Sequence, residues 1–326
     1  MKKVLVVGGA GYIGSHCAKL LSESGITPIV FDNLSTGHRE AVKWGPFFKG
    51  DLLDPEAVSQ VFTDQRPDAV VHFAALTLIP ESLEHPDRYH RNNVAGTLNL
   101  LEAMRAHGLT NLVFSSSCAV YGAPETSPID ESFSCAPINP YGQTKLEAER
   151  ALKTFSEGQG IRSISLRYFN AAGADPSGEI GEAHSPETHL IPLALRAASG
   201  QGAALEVFGS DFNTPDGTAI RDYIHVNDLA AAHLAALRYL RDGGQTTSVN
   251  IGTGTGASVL EIVQAAEKAT GRKVPYSLKD RRPGDPAELV ADPTLAESLL
   301  SWRATTPLAR ILSDAWGWHS NQAFGL

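Results

Sequence analysis

A short apolar run that leads directly into a cluster of glycines constrains the fold of this chain more than any other feature. Residues 4–7 read Val-Leu-Val-Val, and Gly8, Gly9, Gly11 and Gly14 follow at once. Two registers fit, GxxGxxG from Gly8 and GxGxxG from Gly9. Both require a tight turn from a buried strand into a helix, with the backbone close to a bound anion. Because helix N-termini present free N–H groups, this turn predicts a pyrophosphate site.

Short apolar runs alternate with amphipathic stretches through the first half of the chain. Residues 29–31, 69–73, 112–115 and 164–167 are rich in Val, Ile and Phe and indicate strands buried on both faces. Residues 15–24 and 98–107 are typical of the helices between them. The alternation predicts an α/β fold, a Rossmann-type doubly wound parallel sheet. After about residue 170, loops rich in Gly, Pro and Asp indicate a smaller α/β C-terminal substrate domain.

An aspartate at the end of the second apolar run indicates which dinucleotide binds. Asp32 lies 18 residues after Gly14, close to the spacing of roughly 20 expected for an acid that binds the adenosine ribose. A carboxylate there accepts hydrogen bonds from both ribose hydroxyls and repels a 2′-phosphate. The sequence therefore predicts NAD and not NADP as the cofactor.

Composition limits the remaining partners. The chain has 326 residues, with 27 Lys and Arg against 36 Asp and Glu, a formal net charge of −9. That balance disfavours nucleic acid as a partner. No apolar run reaches the length of a membrane span, and the three cysteines form neither a disulfide framework nor a metal motif. We expect a cytoplasmic protein without a membrane segment. The histidines His72, His107 and His225 have no metal-type spacing, so no metal is expected.

A tyrosine and a lysine one helical turn apart point to proton transfer. Asn139 suits a helix N-cap and Pro140 the first helical position, which places Tyr141 and Lys145 on one helix face. A nearby ammonium lowers the pKa of a tyrosine, and the positive nicotinamide ring would lower it further. The pair then predicts a general base for an alcohol that loses hydride. Ser117, the last of three serines at a strand end, is the predicted partner of the reacting oxygen.

Together these features resemble the extended short-chain dehydrogenase/reductase family. Five further segments carry a closer resemblance to its UDP-hexose 4-epimerase branch, which spans nearly the whole chain: residues 31–35, 115–122, 166–170, 216–226 and 281–285. The resemblance implies interconversion of UDP-galactose and UDP-glucose. The sugar is oxidised at C4 to a 4-keto intermediate, rotates and is reduced again with tightly bound NAD. It also implies a homodimer.

The resemblance assigns the remaining positions one by one. The residues implied at the cofactor are Gly8, Gly11, Tyr12, Ile13, Gly14, Asp32, Asn33, Asp51, Leu52, Phe73, Ala74, Ala75, Asn93, Ser115, Tyr141, Lys145 and Tyr168. The residues implied at the substrate are Ser117, Tyr141, Asn170, His189, Leu190, Arg221, Arg282 and Leu289. Asn170, Arg221 and Arg282 would hold the diphosphate, because a guanidinium can bind two phosphate oxygens at once.

Three positions depart from the best-known bacterial pattern. Thr77 stands where many members have Lys, which removes one cofactor contact, and His189 replaces a usual Asn. Leu289 occupies a position that is a bulky Tyr in some members, so a larger substituent at C2 of the sugar is not excluded. Cys118 and Ala119 replace the acidic pair of the family's dehydratases, which disfavours dehydration.

Several alternatives stay open at this point. They are a 4-epimerase of UDP-N-acetylhexosamine, a 4-epimerase of UDP-uronic acid and a non-catalytic NAD-binding regulator of the same fold. For the domains we expect residues 1–170 to form the NAD-binding Rossmann domain, with a segment near 222–252 returning to it. The remainder of 171–326 would bind the UDP-sugar.

Overall fold

The computed structural model describes residues 1–282, 284–321 and 324. Its strands are β1 (Lys3–Val7), β2 (Thr27–Asp32), β3 (Phe47–Lys49), β4 (Ala69–His72), β5 (Asn111–Ser117), β6 (Arg162–Tyr168), β7 (Asn170–Ala172), β8 (Leu205–Phe208), β9 (Ile220–His225), β10 (Thr247–Ile251), β11 (Gly256–Ser258), β12 (Tyr276–Lys279) and β13 (Glu288–Leu289).

The helices alternate with these strands. They are α1 (Tyr12–Glu23), α2 (Pro55–Gln65), α3 (Ile79–Glu84), α4 (Pro86–Tyr89), α5 (Gly96–Ala106), α6 (Pro140–Gln159), α7 (Leu190–Ser199), α8 (Val226–Arg241), α9 (Val259–Thr270), α10 (Thr294–Leu300) and α11 (Leu308–Ser320). Single turns of 3-10 helix lie at Arg39–Ala41 and Cys118–Tyr121, and a π-helical turn lies at His90–Ala95.

Seven parallel strands form the main sheet in the order β10-β6-β5-β4-β1-β2-β3. The chain moves outward from β1 in one direction and then in the other, so the order reverses between β1 and β4. Such a reversal creates a crevice at the carboxyl ends of the strands, where ligands bind in doubly wound sheets. The predicted Rossmann-type fold class is confirmed.

Each face of the sheet is covered by its own apolar cluster. Val4 and Val6 point to one face, among side chains of α1 and α8, whereas Leu5 and Val7 point to the other, among side chains of α2, α5 and α6. This alternation follows from the period of two along a strand. Both faces are buried, which is why β1 appears in the sequence as an uninterrupted apolar run.

Part of the second half of the chain returns to the main sheet. Strand β10 pairs with β6, and the buried face of α8 packs beside β1, β4 and β6. Helix α10 also contributes Ala296 and Leu300 to this layer, and Trp302 follows them. The segment from 294 to 302 therefore packs with the first unit, although the sequence analysis assigned it to the second.

The rest of the second half forms a smaller α/β unit. Strand β9 is central to a small sheet, pairing with β7, β11 and β13, while β8 and β12 form a separate parallel pair. Helices α7, α9 and α11 pack around a core that includes Leu195, Ile262 and Ile311. Because β7 starts two residues after β6 ends, the small sheet begins at the carboxyl edge of the main sheet.

Within the described residues, no helix has both the length and the apolar character that crossing a bilayer requires.

Candidate active site

The predicted site residues gather at the carboxyl edge of the main sheet. The glycine turn follows β1, Asp32 ends β2, Phe73 follows β4, Ser117 ends β5 and Tyr168 ends β6. All these strands are parallel, so their ends lie on one side of the sheet. The fold thus brings together residues that are more than 150 positions apart in the sequence.

The glycines of the first turn have different physical roles. Gly8 has a φ of 79°, and a Cβ there would lie 2.5 Å from the backbone nitrogen of Ala74. A Cβ on Gly14 would lie 2.2 Å from the carbonyl oxygen of Gly8. Both are therefore required by the fold itself.

Gly11 differs, because a Cβ there would meet only the Gly8 oxygen, at an ordinary contact distance of 3.4 Å. Gly11 is also the N-cap of α1, and no side chain caps the helix. The space above Gly11 and the first N–H groups of α1, at Tyr12 and Ile13, form a cradle that suits a pyrophosphate.

Asp32 is held in place by the backbone around it. Its two carboxylate oxygens accept hydrogen bonds from the N–H groups of Ala10, at 2.9 Å, and Leu34, at 2.8 Å. Burial raises the pKa of Asp32, and the two N–H groups oppose that rise. Next to it, Asn33 donates to Asp51 at 2.9 Å, which links the ends of β2 and β3. Leu52 is buried beneath this corner.

The loop after β4 closes the cofactor side of the crevice. Ala74 lies against Gly8, and Phe73 packs on the ring of His233 with centroids 4.6 Å apart. The loop continues through Ala75 to Leu76, whose backbone exchanges two hydrogen bonds with the Asn93 amide. Asn93 also donates to Thr144 Oγ1 at 3.0 Å. The side chain of Asn93 thus fixes this loop to α6 through contacts within the protein.

The N-terminus of α6 places Tyr141 beside the end of β5. The predicted N-cap and first position are confirmed, since Asn139 accepts a hydrogen bond from the Gly142 N–H at 2.8 Å and Pro140 begins the helix. A Cβ on Gly142 would lie 2.5 Å from the Ala119 oxygen, so glycine permits the close approach of α6 to the segment after Ser117.

Lys145 lies on the same face of α6 and is fully buried. Its Nζ donates to the Ser115 oxygen at 2.8 Å and lies 5.9 Å from the centroid of the Tyr141 ring. Burial lowers the pKa of Lys145 to about 7, although Glu149 opposes that change.

The expected lowering of the Tyr141 pKa is not found in the protein alone. Burial raises the pKa of Tyr141 well above its usual value, and a hydrogen-bond interaction with Ser117 lowers it only in part. The reason is that a buried phenolate loses its hydration, and Lys145 has itself lost much of its preference for the charged form.

The three serines at the end of β5 have different hydrogen-bond partners. Ser115 hydrogen bonds to the hydroxyl of Tyr168, and Ser116 donates to Glu149 at 2.5 Å. Ser117 accepts only a long bond, 3.2 Å, from the Ala119 N–H. Its hydroxyl also interacts with Tyr141, which is the hydrogen-bond interaction that lowers the pKa of that tyrosine.

The small sheet carries three of the expected substrate residues. Asn170 lies opposite Tyr223 and donates to the Asp222 oxygen at 3.2 Å, and Leu289 lies opposite Arg221. Leu289 packs in the apolar cluster that contains Val120 and Tyr121, directly after Ser117. The small sheet therefore brings Leu289 against the segment that follows Ser117.

The two arginines are already engaged with other side chains. Arg221 forms an ion pair with Asp285, and Arg282 stacks on the Phe208 ring, 4.0 Å from its centroid. Both contacts orient a guanidinium, which suits later contact with a phosphate. Pro283, part of the same sequence motif, lies outside the described residues.

His189 lies in an unexpected setting. It precedes α7, whose first residue Leu190 is half-buried on the small domain's core. Its Nδ1 lies 2.8 Å from Glu182 and 2.9 Å from Glu187. Although burial opposes it, these carboxylates raise the pKa of His189 to about 10. Sequence analysis did not identify Glu182, Glu187 or the nearby His184; the signal was the spacing of four residues between two histidines, with a glutamate two positions before each.

Known proteins resemble this chain in sequence and in structure. The model of the NAD dependent epimerase/dehydratase family matches residues 4–252. The chain belongs to this family. The match covers the main sheet from β1 to β10, including the glycine turn, Ser117, Tyr141 and Lys145.

Individual relatives agree over almost the whole chain. A UDP-glucose 4-epimerase of Rhizobium meliloti is 50% identical over 322 residues, which is 99% of this chain and 98% of the relative. The crystal structure of UDP-glucose 4-epimerase from Brucella ovis in complex with NAD is 52% identical, with a TM-score of 0.95 over 97% of this chain and 98% of that one.

A third relative extends the comparison to a sugar nucleotide. The structure of a UDP-glucose-4-epimerase from Stenotrophomonas maltophila with bound NAD and formylated UDP-arabinopyranose has a TM-score of 0.97. It is 39% identical to this chain, and the match covers 100% of both. The resemblance inferred from the sequence motifs is confirmed.

Proposed function

We propose that this chain is an NAD-dependent UDP-glucose 4-epimerase that interconverts UDP-galactose and UDP-glucose. The observation that carries the proposal is the convergence of Ser117, Tyr141 and Lys145 beside the glycine turn, in a chain 50% identical over its length to a named UDP-glucose 4-epimerase. The same arrangement argues against a non-catalytic regulator, which has no need of a hydroxyl pair and a buried lysine at one point.

The residues at the carboxyl edge fit NAD. The open space above Gly11 and the uncapped N-terminus of α1 suit its pyrophosphate, and Asp32 suits the adenosine ribose. Asn33, Asp51 and Leu52 form the corner beside that ribose, while Phe73, Ala75 and Tyr168 lie toward the catalytic end. Bound there, NAD would supply the acceptor for the hydride from C4 of the sugar and the donor for its return to the opposite face.

Tyr141 accepts the proton of the sugar 4-hydroxyl during oxidation and gives it back during reduction. Because burial holds its pKa high, Tyr141 needs a positive charge nearby in order to act as a base at neutral pH. Lys145 supplies that charge at 5.9 Å from the ring when it is protonated. Its hydrogen bond to the Ser115 oxygen fixes the direction of the ammonium.

Ser117 holds the reacting oxygen through both half-reactions. Its hydroxyl donates to the 4-oxygen, on the side where Tyr141 exchanges the proton. The 4-keto sugar rotates between the two hydride transfers, while Asn170, Arg221 and Arg282 retain the diphosphate. We propose these three residues, with Leu190 at the start of α7, as the UDP-sugar subsite; His189, which the resemblance also implied there, is instead held by Glu182 and Glu187.

We also propose that the two units bind different ligands. Residues 1–170, together with the returning β10, α8 and α10, form the unit that binds NAD, and the rest of 171–326 binds the UDP-sugar. We further propose a homodimer, as the resemblance implies, and a cytoplasmic location. Its cysteines Cys17, Cys118 and Cys135 are free, which suits a reducing compartment.

A second substrate is favoured by one observation. Leu289 is half-buried and packs beside Val120 and Tyr121, at the position that would limit the bulk of the sugar. Leucine is shorter than tyrosine, so we propose that UDP-N-acetylgalactosamine is also converted, more slowly than UDP-galactose. The site offers no comparable argument for a uronic acid.

The direct test is product analysis without added cofactor. Purified protein is incubated separately with UDP-galactose, UDP-N-acetylgalactosamine and UDP-galacturonic acid, and the products are identified by NMR. The proposal expects rapid formation of UDP-glucose and slower conversion of the acetamido sugar. Conversion of UDP-galacturonic acid alone would replace the proposed substrate, and no conversion of any sugar would refute the epimerase.

A further inference from the structure

Four side chains of the loop before α7 converge at one point. The ligand atoms of Glu182, His184, Glu187 and His189 all lie within 4.8 Å of one another. Two are carboxylates and two are imidazoles, and they come from a stretch of eight residues. Because the two histidines are separated by four residues, their spacing falls in the range common for zinc sites.

Distances within this cluster suit a common central cation. His184 Nδ1 lies 3.2 Å from Glu182 Oε1 and 3.9 Å from Glu187 Oε2. His189 Nδ1 lies 2.8 Å from Glu182 Oε1 and 2.9 Å from Glu187 Oε1. Tetrahedral ligands at about 2.0–2.2 Å from Zn²⁺ are about 3.3–3.6 Å apart, so only small side-chain shifts separate the cluster from that geometry.

Hydrogen bonding within the protein does not account for the whole cluster. Glu187 Oε1 accepts hydrogen bonds from the backbone N–H groups of Thr188 and His189, each at 2.8 Å, and His189 Nδ1, with one N–H at most, lies close to both Glu182 Oε1 and Glu187 Oε1. Glu187 Oε2 is nevertheless buried without a hydrogen-bond partner among the described residues, and so is His184 Nδ1. The Glu187 side chain has 0% of its surface exposed, so solvent does not satisfy that oxygen. Unpartnered buried acceptors of this kind are costly unless something binds them.

We propose that Glu182, His184, Glu187 and His189 bind one divalent first-row metal ion, with Zn²⁺ as the ion that suits the donors best. Two imidazole nitrogens and two carboxylate oxygens form a four-coordinate set that neutralises the two charges of the ion. His184 and His189 are 31% and 48% exposed, which gives the ion a path from solvent.

The surroundings indicate that the ion is structural. The Glu182 carbonyl accepts from the Trp318 indole at 2.8 Å, the Ala183 carbonyl accepts from His38 at 2.7 Å, and the Tyr12 ring packs edge-on against His184. Four protein ligands leave no open position for substrate. The ion thus fastens the loop before α7 between α11 and the start of α1.

The test measures metal binding itself and does not depend on the epimerase activity. Untagged protein is treated with a chelator, passed through gel filtration and titrated with Zn²⁺ against a chromophoric chelator. The variants are His184→Ala, the shape-conserving Glu187→Gln and, as a control, His85→Ala, which removes an exposed imidazole elsewhere. Circular dichroism confirms that each variant is folded.

We expect one Zn²⁺ per chain for the wild type and for His85→Ala. Mutation of residues that only hydrogen-bond to metal ligands typically lowers metal affinity by about 10–100-fold. Loss of a ligand itself, in His184→Ala or Glu187→Gln, should therefore weaken Zn²⁺ binding by about 100-fold or more. Co²⁺ should give the intense absorption of a four-coordinate complex in the wild type and in His85→Ala, but not in His184→Ala or Glu187→Gln. Equal Zn²⁺ binding by the wild type and both ligand variants, or no binding by any of them, would show an ion-paired cluster only.

Discussion

At the first turn, Gly11 leaves room for a ligand, whereas Gly14 is required by the fold itself. A Cβ on Gly11 has room within the protein, whereas a Cβ on Gly14 would lie 2.2 Å from the Gly8 oxygen. We predict that Gly11→Ala loses NAD, while the stability of the NAD-free variant differs from that of the NAD-free wild type by less than about 1 kcal/mol, the usual scale of an N-cap change. Gly14→Ala should lower the Tm as well.

Thermal unfolding and the nucleotide content of the purified protein measure the two effects. If Gly11→Ala retained a full complement of NAD, the cradle above this residue would not be the pyrophosphate site.

We propose that Lys145 sets the pH at which Tyr141 can act as a base. Without the ammonium, only the hydrogen-bond interaction with Ser117 opposes the burial that raises the pKa of Tyr141, so the base is available only at higher pH. We predict that Lys145→Met moves the acidic limb of the kcat/KM profile upward by about one pH unit or more, and lowers the plateau. Lys153→Met, on the exposed face of the same helix, is the control. If the acidic limb of the Lys145→Met profile lay at the same pH as in the wild type, Lys145 would not lower the pKa of Tyr141.

We propose that Leu289 limits the room available to a group at C2 of the sugar. Epimerisation requires the 4-keto sugar to rotate, so a bulky side chain at position 289 would hinder this rotation as well as the binding of the substrate. We predict that Leu289→Tyr lowers kcat/KM for UDP-N-acetylgalactosamine more than for UDP-galactose, because overpacking penalises the larger substrate.

The ratio of the two kcat/KM values is the readout for Leu289. Leu278→Tyr, at an exposed position of β12 that is 54% accessible, serves as the control. An unchanged ratio in Leu289→Tyr would mean that the limiting wall lies elsewhere.

At the scale of elements, a buried ion pair joins α6 to β6. Glu149 accepts from Arg167 Nη2 at 2.6 Å and from Arg167 Nε at 3.0 Å, and both side chains are less than 10% exposed. Arg167 also donates to the Tyr121 hydroxyl at 2.9 Å. The pair therefore fixes the helix of Tyr141 and Lys145 against the strands that end at Ser117 and Tyr168.

Breaking this pair should be strongly destabilising. Glu149→Gln leaves the Arg167 charge buried without a counter-ion, which typically costs about 3–5 kcal/mol. Glu157→Gln, on an exposed turn of the same helix with 71% of its side chain accessible, should cost no more than about 0.5 kcal/mol. Urea unfolding of both variants provides the comparison, and similar midpoints would contradict the role assigned to Glu149.

The elements differ in how readily the sequence predicted them. Strands β1, β2, β4, β5 and β6 are buried on both faces, so a local apolar run was enough, and the Asn139 cap placed α6 correctly. The π-helical turn at His90–Ala95 has no comparable local signal. The cluster around His189 also escaped prediction, because its four ligands meet only when the loop folds back on itself.

For the whole molecule, topology explains which site residues the sequence could place. The glycine turn, Asp32, Ser117 and Tyr168 follow parallel strands, so the fold class alone puts them at one edge. Asn170, Arg221 and Leu289 depend on the small sheet around β9, which no periodic pattern reveals, and only the family resemblance pointed to them. Asn93 was assigned to the cofactor by resemblance, and its observed contacts are within the protein.

The account of the whole molecule requires that the hydrogen removed from C4 returns to the same sugar. UDP-galactose carrying deuterium at C4 tests this directly, with NMR and mass spectrometry of the UDP-glucose formed. Tyr141→Phe is the control and should slow turnover by about 10²–10⁴-fold, the usual contribution of a positioned base. We predict UDP-glucose that retains deuterium at C4 in ordinary water. Product that has exchanged its label with solvent, or no product at all, would contradict the proposed function.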